Sequence, residues 1–371
     1  MQGIAWRKRV FYLLLSNLNC MGKPSLILAA LAADALPGLR FNQVQDLTQP
    51  GEEIVTQLLT TDQGQQILLK SPKSALALTK LGLEVRALRV LGKINLPFQV
   101  PSLLGETSPK AVYKAYAFDY VSGNQLDAGR LKPEDPIISA LGLALAQIHS
   151  IPASLIADAG LPESDPALRV RERVAEFDRA METGRIHPDL LERWQNALLD
   201  LNLFRYQPCV VHGALDSEDI LTEGNQIAGI NNWTNLSIDD PAIDLATFFG
   251  ACSSEVAEAI ALSYEGSIKA DRNIRQRANL YVELSLASYL LQAVESGDEA
   301  AVADAQGYLD NLHSHLLEGQ LPSLKPSELV GQSPEVVTPI SQAASFTGPI
   351  TIVTEQIEIV EGEAEPEEPK A

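Results

Sequence analysis

Between Val210 and Phe249 the chain collects side chains that hold cations or accept protons. His212-Gly213-Ala214 closes the apolar run Val210-Val211; Asp216, Glu218 and Asp219 follow at once, and Asn231-Asn232-Trp233 precedes acids at Asp240 and Asp244. Carboxylates suit hard cations and proton transfer, so this grouping carries chemical information. The local structure expected around it puts the polar residues at strand ends. Ile220-Leu221 and Gln226 to Ile230 read as two short strands joined by Glu223-Gly224-Asn225, since Gly and Asn tolerate positive φ.

The order and spacing resemble the catalytic segment of the aminoglycoside and macrolide phosphotransferase family, kinase-like enzymes with choline-kinase-type relatives. The family pattern is His-Gly-Asp, four residues, Asn, a hairpin, Ile-Asp-Trp, then Asp-Pro-Ala-x-Asp-Leu-Ala. Here those places hold His212-Gly213-Ala214, Asp219, Asn231-Asn232-Trp233 and Asp240-Pro241-Ala242-Ile243-Asp244-Leu245-Ala246. The resemblance implies a bilobal α+β fold, a small antiparallel sheet lobe on a mostly helical large lobe. It implies ATP or GTP as the nucleotide.

The departures fall on the reacting positions. In phosphoryl transfer of this kind one Asp accepts the proton of the attacking hydroxyl, and a second Asp with an Asn holds magnesium. Ala214 stands at the base position and can do neither job of a carboxylate there. Asn232 stands at the main metal position, where a neutral amide is the weaker partner for a hard cation. Asp219 replaces the Asn and still offers a metal ligand. Magnesium binding is therefore expected to be weak or absent, and the chain reads as a degenerate member. His212 keeps its place, and Asp216 and Glu218 lie near enough in sequence to stand in for the lost base.

These residues need a frame. Residues 22–121 read as a small lobe with strands at Val44 to Thr48, Ile54 to Thr61 and Gln65 to Lys70, then a helix carrying Leu78, Leu81, Val85, Leu88 and Leu91. By resemblance Lys70 meets the phosphates and pairs with Glu84; the plain alternative is two solvated charges. The loop Gln49 to Glu53 holds one glycine and two acids, a poor phosphate cradle. Tyr113 to Val121 reads as a strand; the family resemblance implies that it leads into the interlobe hinge, where the backbone of Phe118, Tyr120 and Val121 would meet the base. Residues 122–321 read as the helical large lobe. Ile137 to Ile151 is its clearest amphipathic helix, and His149 on it is expected to pack or cap rather than bind.

Composition sets limits on function. The 371 residues carry a net charge of −20, which argues against nucleic acid, because phosphate binding needs concentrated Lys and Arg. Three scattered cysteines, Cys20, Cys209 and Cys252, make no disulfide framework, and the chain reads as cytoplasmic. The six apolar residues Val10 to Leu15 are too few for a membrane span, which takes about 20, so no membrane is expected and residues 1–21 read as an extension. Residues 322–371 have the composition of a disordered acidic tail. Within it Ile350 to Val360 reads either as plain tail or as a strand for a protein partner's sheet edge.

Two functions remain open. One is a pseudokinase-like binding or regulatory protein with a nucleotide and small-molecule cleft. The other is a working small-molecule kinase that recruits substitute carboxylates.

Overall fold

Alternating burial along the early strands decides how the first lobe is built. A computed structural model of the chain describes residues 23–49 and 51–327, with side chains from residue 27 onward. The expected extension at residues 1–21 and the strand candidate Ile350 to Val360 lie outside the described residues. Strands β1 (Phe41–Asp46), β2 (Ile54–Thr61), β3 (Gln66–Pro72), β4 (Leu103–Glu106) and β5 (Tyr116–Asp119) form one antiparallel sheet in the order β1-β2-β3-β5-β4. On β3, Ile67 and Leu69 face a cluster with Leu31, Ala32 and Ala35 of helix α1 (Lys23–Ala35). The period of two then turns Leu68 and Lys70 to the opposite face, toward the interior of the molecule.

That second face is closed by helix α2 (Ala75–Leu91), which starts where the Ser74 side chain accepts the Ala77 N–H at 3.2 Å. Leu81, Val85, Leu88 and Leu91 make its apolar stripe, and Glu84 lies on the same buried face. The strand β4 has no counterpart in the sequence reading, because Leu-Leu-Gly-Glu is too short to show a period. The expected strand from Tyr113 is shorter than its apolar pattern and covers only Tyr116–Asp119.

The large lobe is helical around a small set of strands. Helices α3 (Ile137–His149), α4 (Ala153–Asp158), α5 (Pro166–Glu182) and α6 (Pro188–Leu199) come before all but one of these strands; α7 (Ala242–Ala251), α8 (Ser254–Ser267), α9 (Ile274–Ser296) and α10 (Glu299–Leu317) follow them all. The fold is thus α+β, as the motif pattern implied. Strand β6 (Asn124–Gln125) pairs with β8 (Ile220–Glu223), which forms a hairpin with β9 (Gln226–Ile230). Strand β7 (Cys209–Val211) pairs with β10 (Ser237–Asp239), Val211 opposite Ser237.

The boundary set by composition at Pro322 is too early. Leu324 is only 5% exposed, Pro322 O accepts from Arg193 at 2.6 Å, and Ser327 N donates to Asn273 Oδ1 at 2.9 Å. A single buried leucine and these two hydrogen bonds hold residues 322–327 on the body. Low apolar content, averaged over the whole segment, hid them.

Candidate active site

Lys70 and Glu84 come together at the roof of the site. Lys70 Nζ lies 2.6 Å from Glu84 Oε1, with the lysine side chain 20% exposed and the glutamate 3%. The strand fixes one partner and the helix the other, so the ammonium is aimed rather than free. It also stands 5.5 Å from the centroid of the Phe118 ring. Below this pair opens a cleft of about 750 Å³, lined among others by Leu68, Phe118, Glu218, Asp219, Asn231 and Asn232.

The floor is a loop whose backbone is held by one carboxylate. Asp244, fully buried near the start of α7, accepts the His212 N–H at 2.8 Å on Oδ2 and the Gly213 N–H at 2.9 Å on Oδ1. His149 adds a third bond to Asp244 at 3.1 Å, and the other ring nitrogen of His149 lies 2.8 Å from the Tyr264 hydroxyl. Burial pushes the Asp244 carboxyl up, but the His149 bond, nearby histidine charge and the Gly213 N–H together hold it below the ordinary carboxylate value. Gly213 has φ +86, and an added Cβ would run into the Asn235 carbonyl oxygen. Glycine is required there for the loop to pass so close.

The two neighbouring acids are held by other bonds. A second motif acid, Asp240, binds Arg277 through two bonds of 2.7 and 2.9 Å and the Tyr281 hydroxyl at 2.5 Å, all in the core. Asp239 takes Arg169 and Ser164. These bonds tie α5 and α9 to the end of β10, from which the chain turns into α7 and Asp244. Arg169, Arg277 and Tyr281 were missed in sequence, since their partners lie 37 to 70 residues away and no local pattern marks them.

On this frame the reacting positions are occupied as follows. Ala214 is exposed and offers a methyl group. His212 is buried, stacked obliquely on Trp233 at 4.6 Å, and its Nε2 bonds the Asn231 carbonyl at 2.8 Å. Asp216 caps a short turn, Ser217–Asp219, accepting from Ser217 Oγ and Glu218 N, both at 3.2 Å. Its carboxylate is thereby engaged by its own loop and does not border the cleft, whereas Glu218 does. Asp219 Oδ2 accepts the Asp216 N–H at 3.1 Å and faces Asn232 Nδ2 at 3.4 Å. Burial raises the Asp219 carboxyl above its ordinary value, against the charge of His212 and the bonds from Asp216 and Asn232. Asn232 sits in the left-handed region at φ 62, which Asn tolerates.

The profile of the phosphotransferase enzyme family matches residues 51–277. The chain belongs to that family. Its matched segment runs from the loop before β2 to the Arg277 that binds Asp240, so both halves of the cleft fall inside it. Among solved structures, a macrolide 2'-phosphotransferase type I is 24% identical, with a TM-score of 0.65 over 78% of this chain and 98% of that one. The apoenzyme of macrolide 2'-phosphotransferase MphH from Brachybacterium faecium is 22% identical, TM-score 0.64, over 76% of this chain and 96% of that one. The GDP and kanamycin complex of APH(2")-IIia is 18% identical, TM-score 0.66, over 78% and 99%. No curated protein matches the chain by sequence.

Within this member of the phosphotransferase family the remaining expected residues are placed as follows. Phe118 borders the cleft, while Tyr120 is 38% exposed and Val121 is buried against Gly229 of β9. Gln99 bridges to the same hairpin, its carbonyl accepting the Ile230 N–H at 3.0 Å, a contact no sequence signal announced. The loop before β2 brings Glu52 and Glu53 to the lining, with Glu52 Oε2 bonded to Gln49 N at 2.9 Å. A separate cavity between α5 and α9 is lined by Arg173, Glu176, Tyr281 and Ser288. Among the described residues no helix is long and apolar enough to cross a membrane, and no three His, Cys, Asp or Glu side chains gather to hold a metal by themselves.

Proposed function

We propose that this phosphotransferase-family protein binds ATP or GTP in the cleft and transfers the phosphoryl group slowly or not at all, acting as a pseudokinase-like binding or regulatory protein. One observation carries the reading. The loop that presents the base is anchored through both backbone amides on Asp244, yet the side chain it presents is the Ala214 methyl. A positioned general base contributes roughly 10² to 10⁴ in rate, so its loss alone slows transfer by that order. The Lys70–Glu84 pair supports retained phosphate binding, because it aims a cation into the cleft. Hinge contacts from the backbone of Phe118 to Val121 complete the nucleotide's place in this reading. A small-molecule acceptor is supported by the kanamycin in the GDP complex of APH(2")-IIia. Cytoplasmic residence belongs to the same reading, since the substrates are intracellular nucleotides.

Transfer through a substitute carboxylate is the second reading, and Glu218 on the cleft lining is what favours it. The test is a thermal-shift titration with ATP and GTP alongside a phosphate-release and transfer assay with kanamycin and a macrolide. Nucleotide stabilisation without turnover supports the proposal. Turnover that Glu218→Gln abolishes supports the second reading instead.

A further inference from the structure

We propose that the cleft retains a divalent-cation site whose two side-chain donors, the Asp219 carboxylate and the Asn232 amide oxygen, have exchanged positions relative to the family motif. The proposal rests on nucleotide binding in the cleft.

The motif places an amide at the position of residue 219 and a carboxylate at that of residue 232. Taken singly, Asn232 reads as the loss of a ligand. Taken together, the two positions still supply one carboxylate and one amide, with the same net charge. Whether an exchange is tolerated depends on whether both positions reach one point in space. The hairpin makes them do so. Ile220 and Ile230 are paired across β8 and β9, and Asn231 N donates to Asp219 O at 2.9 Å, so residues 219 and 232 flank the open end of a rigid ladder. Asn232 Nδ2 and Asp219 Oδ2 are 3.4 Å apart, and both residues border the cleft beneath Lys70. A cation between them meets the same donors whichever strand end supplies the charge.

The bonding around the pair leaves room for this. Both protein bonds to the Asp219 carboxylate fall on Oδ2, which leaves Oδ1 for a metal. Without a cation the amide turns its NH₂ toward the carboxylate. A half-turn of the amide plane brings Asn232 Oδ1 round, at the cost of its weak 3.5 Å contact with Thr234 Oγ1. Magnesium is commonly held by one or two protein carboxylates, with waters and substrate phosphates completing the shell. One carboxylate and one amide therefore bind it weakly alone and better with a nucleotide. Weak, rather than absent, magnesium dependence is the consequence.

The experiment is a titration of the full chain with a fluorescent ATP analogue in EDTA, in Mg²⁺ and in Mn²⁺, with bound Mn²⁺ followed by electron paramagnetic resonance. The metal should tighten nucleotide binding about 10-fold, the size of one additional charge-assisted contact. Asp219→Asn, which leaves two amides, should erase that increment and the bound-Mn²⁺ signal. The double exchange Asp219→Asn/Asn232→Asp should restore both to within about threefold of the wild type, an outcome that a merely structural role for Asp219 does not produce and that also shows the variants fold. An increment that survives Asp219→Asn, or a double exchange that restores nothing, overturns the proposal. Nucleotide binding in EDTA with no metal increment overturns it alone, whereas no binding under any condition overturns it together with the nucleotide-binding reading.

Discussion

Lys70→Met isolates the Lys70–Glu84 pair and gives a signed, asymmetric outcome. The substitution leaves Glu84, whose side chain is 3% exposed, as a buried carboxylate without its cation. Removing one partner of a buried pair costs about 3 to 5 kcal/mol. Because the lysine end of this pair is 20% exposed and admits water, the lower figure applies, about 3 kcal/mol. At about 2 to 4 °C per kcal/mol for a chain of this size, the melting temperature should drop by roughly 6 to 12 °C. Glu84→Leu strands the more exposed partner and should cost about half as much. The double variant removes both charges and should return to within about 1 kcal/mol of the wild type, because a pair replaced by apolar groups is near neutral. The assay is calorimetric melting of all four proteins in EDTA without nucleotide. A Lys70→Met protein that melts within about 2 °C of the wild type, or single losses that simply add in the double variant, would refute the buried-pair account.

Three further outcomes follow from the floor of the site. Ala214→Asp should raise nucleotide turnover by about 10²-fold, measured as phosphate release, since it returns a proton acceptor to a loop already anchored on Asp244. Asp244→Asn should cost about 2 to 3 kcal/mol near neutral pH by weakening the bonds from His212 N, Gly213 N and His149. The folded Asp244 carboxyl is held below its ordinary value of 3.8, so its contribution is complete above that pH and is lost as pH falls through the lowered value. Denaturation curves of wild type and Asp244→Asn should therefore converge below pH 3.8, and curves that stay parallel there would contradict the assignment. Gly213→Ala should destabilise by about 2 kcal/mol or more, because φ +86 is strained for alanine and the new methyl meets the Asn235 carbonyl; an unchanged melting temperature would show that the loop can shift freely.

The family-motif segment was legible in sequence because its pattern is local. His212, Ala214, Asp219, Asn232, Asp240 and Asp244 fall within one run whose hairpin and helix are set by short-range signals, and β2 was read to its ends, Ile54–Thr61. The partners that hold this run were not legible. Arg277 to Asp240, Arg169 to Asp239 and Gln99 to Ile230 are contacts between residues distant in the chain, and a lone Arg or Gln looks the same whether it is solvated or buried. For the same reason Asn232 read alone as a lost ligand. Its meaning changes once the hairpin sets Asp219 3.4 Å away. Asp216 is the converse case: proximity in sequence suggested a substitute base, and the structure uses its carboxylate to cap the turn Ser217–Asp219.

Nucleotide binding that survives with little or no turnover is tested by isothermal titration of ATP and GTP into the wild type and Lys70→Met. Loss of a charge-assisted contact to phosphate is worth about 1.5 to 3 kcal/mol, so Lys70→Met should weaken binding roughly 10- to 100-fold relative to a measurable wild-type affinity. Wild-type protein that binds neither nucleotide at millimolar concentration, or that binds them equally well without the lysine, would contradict the account.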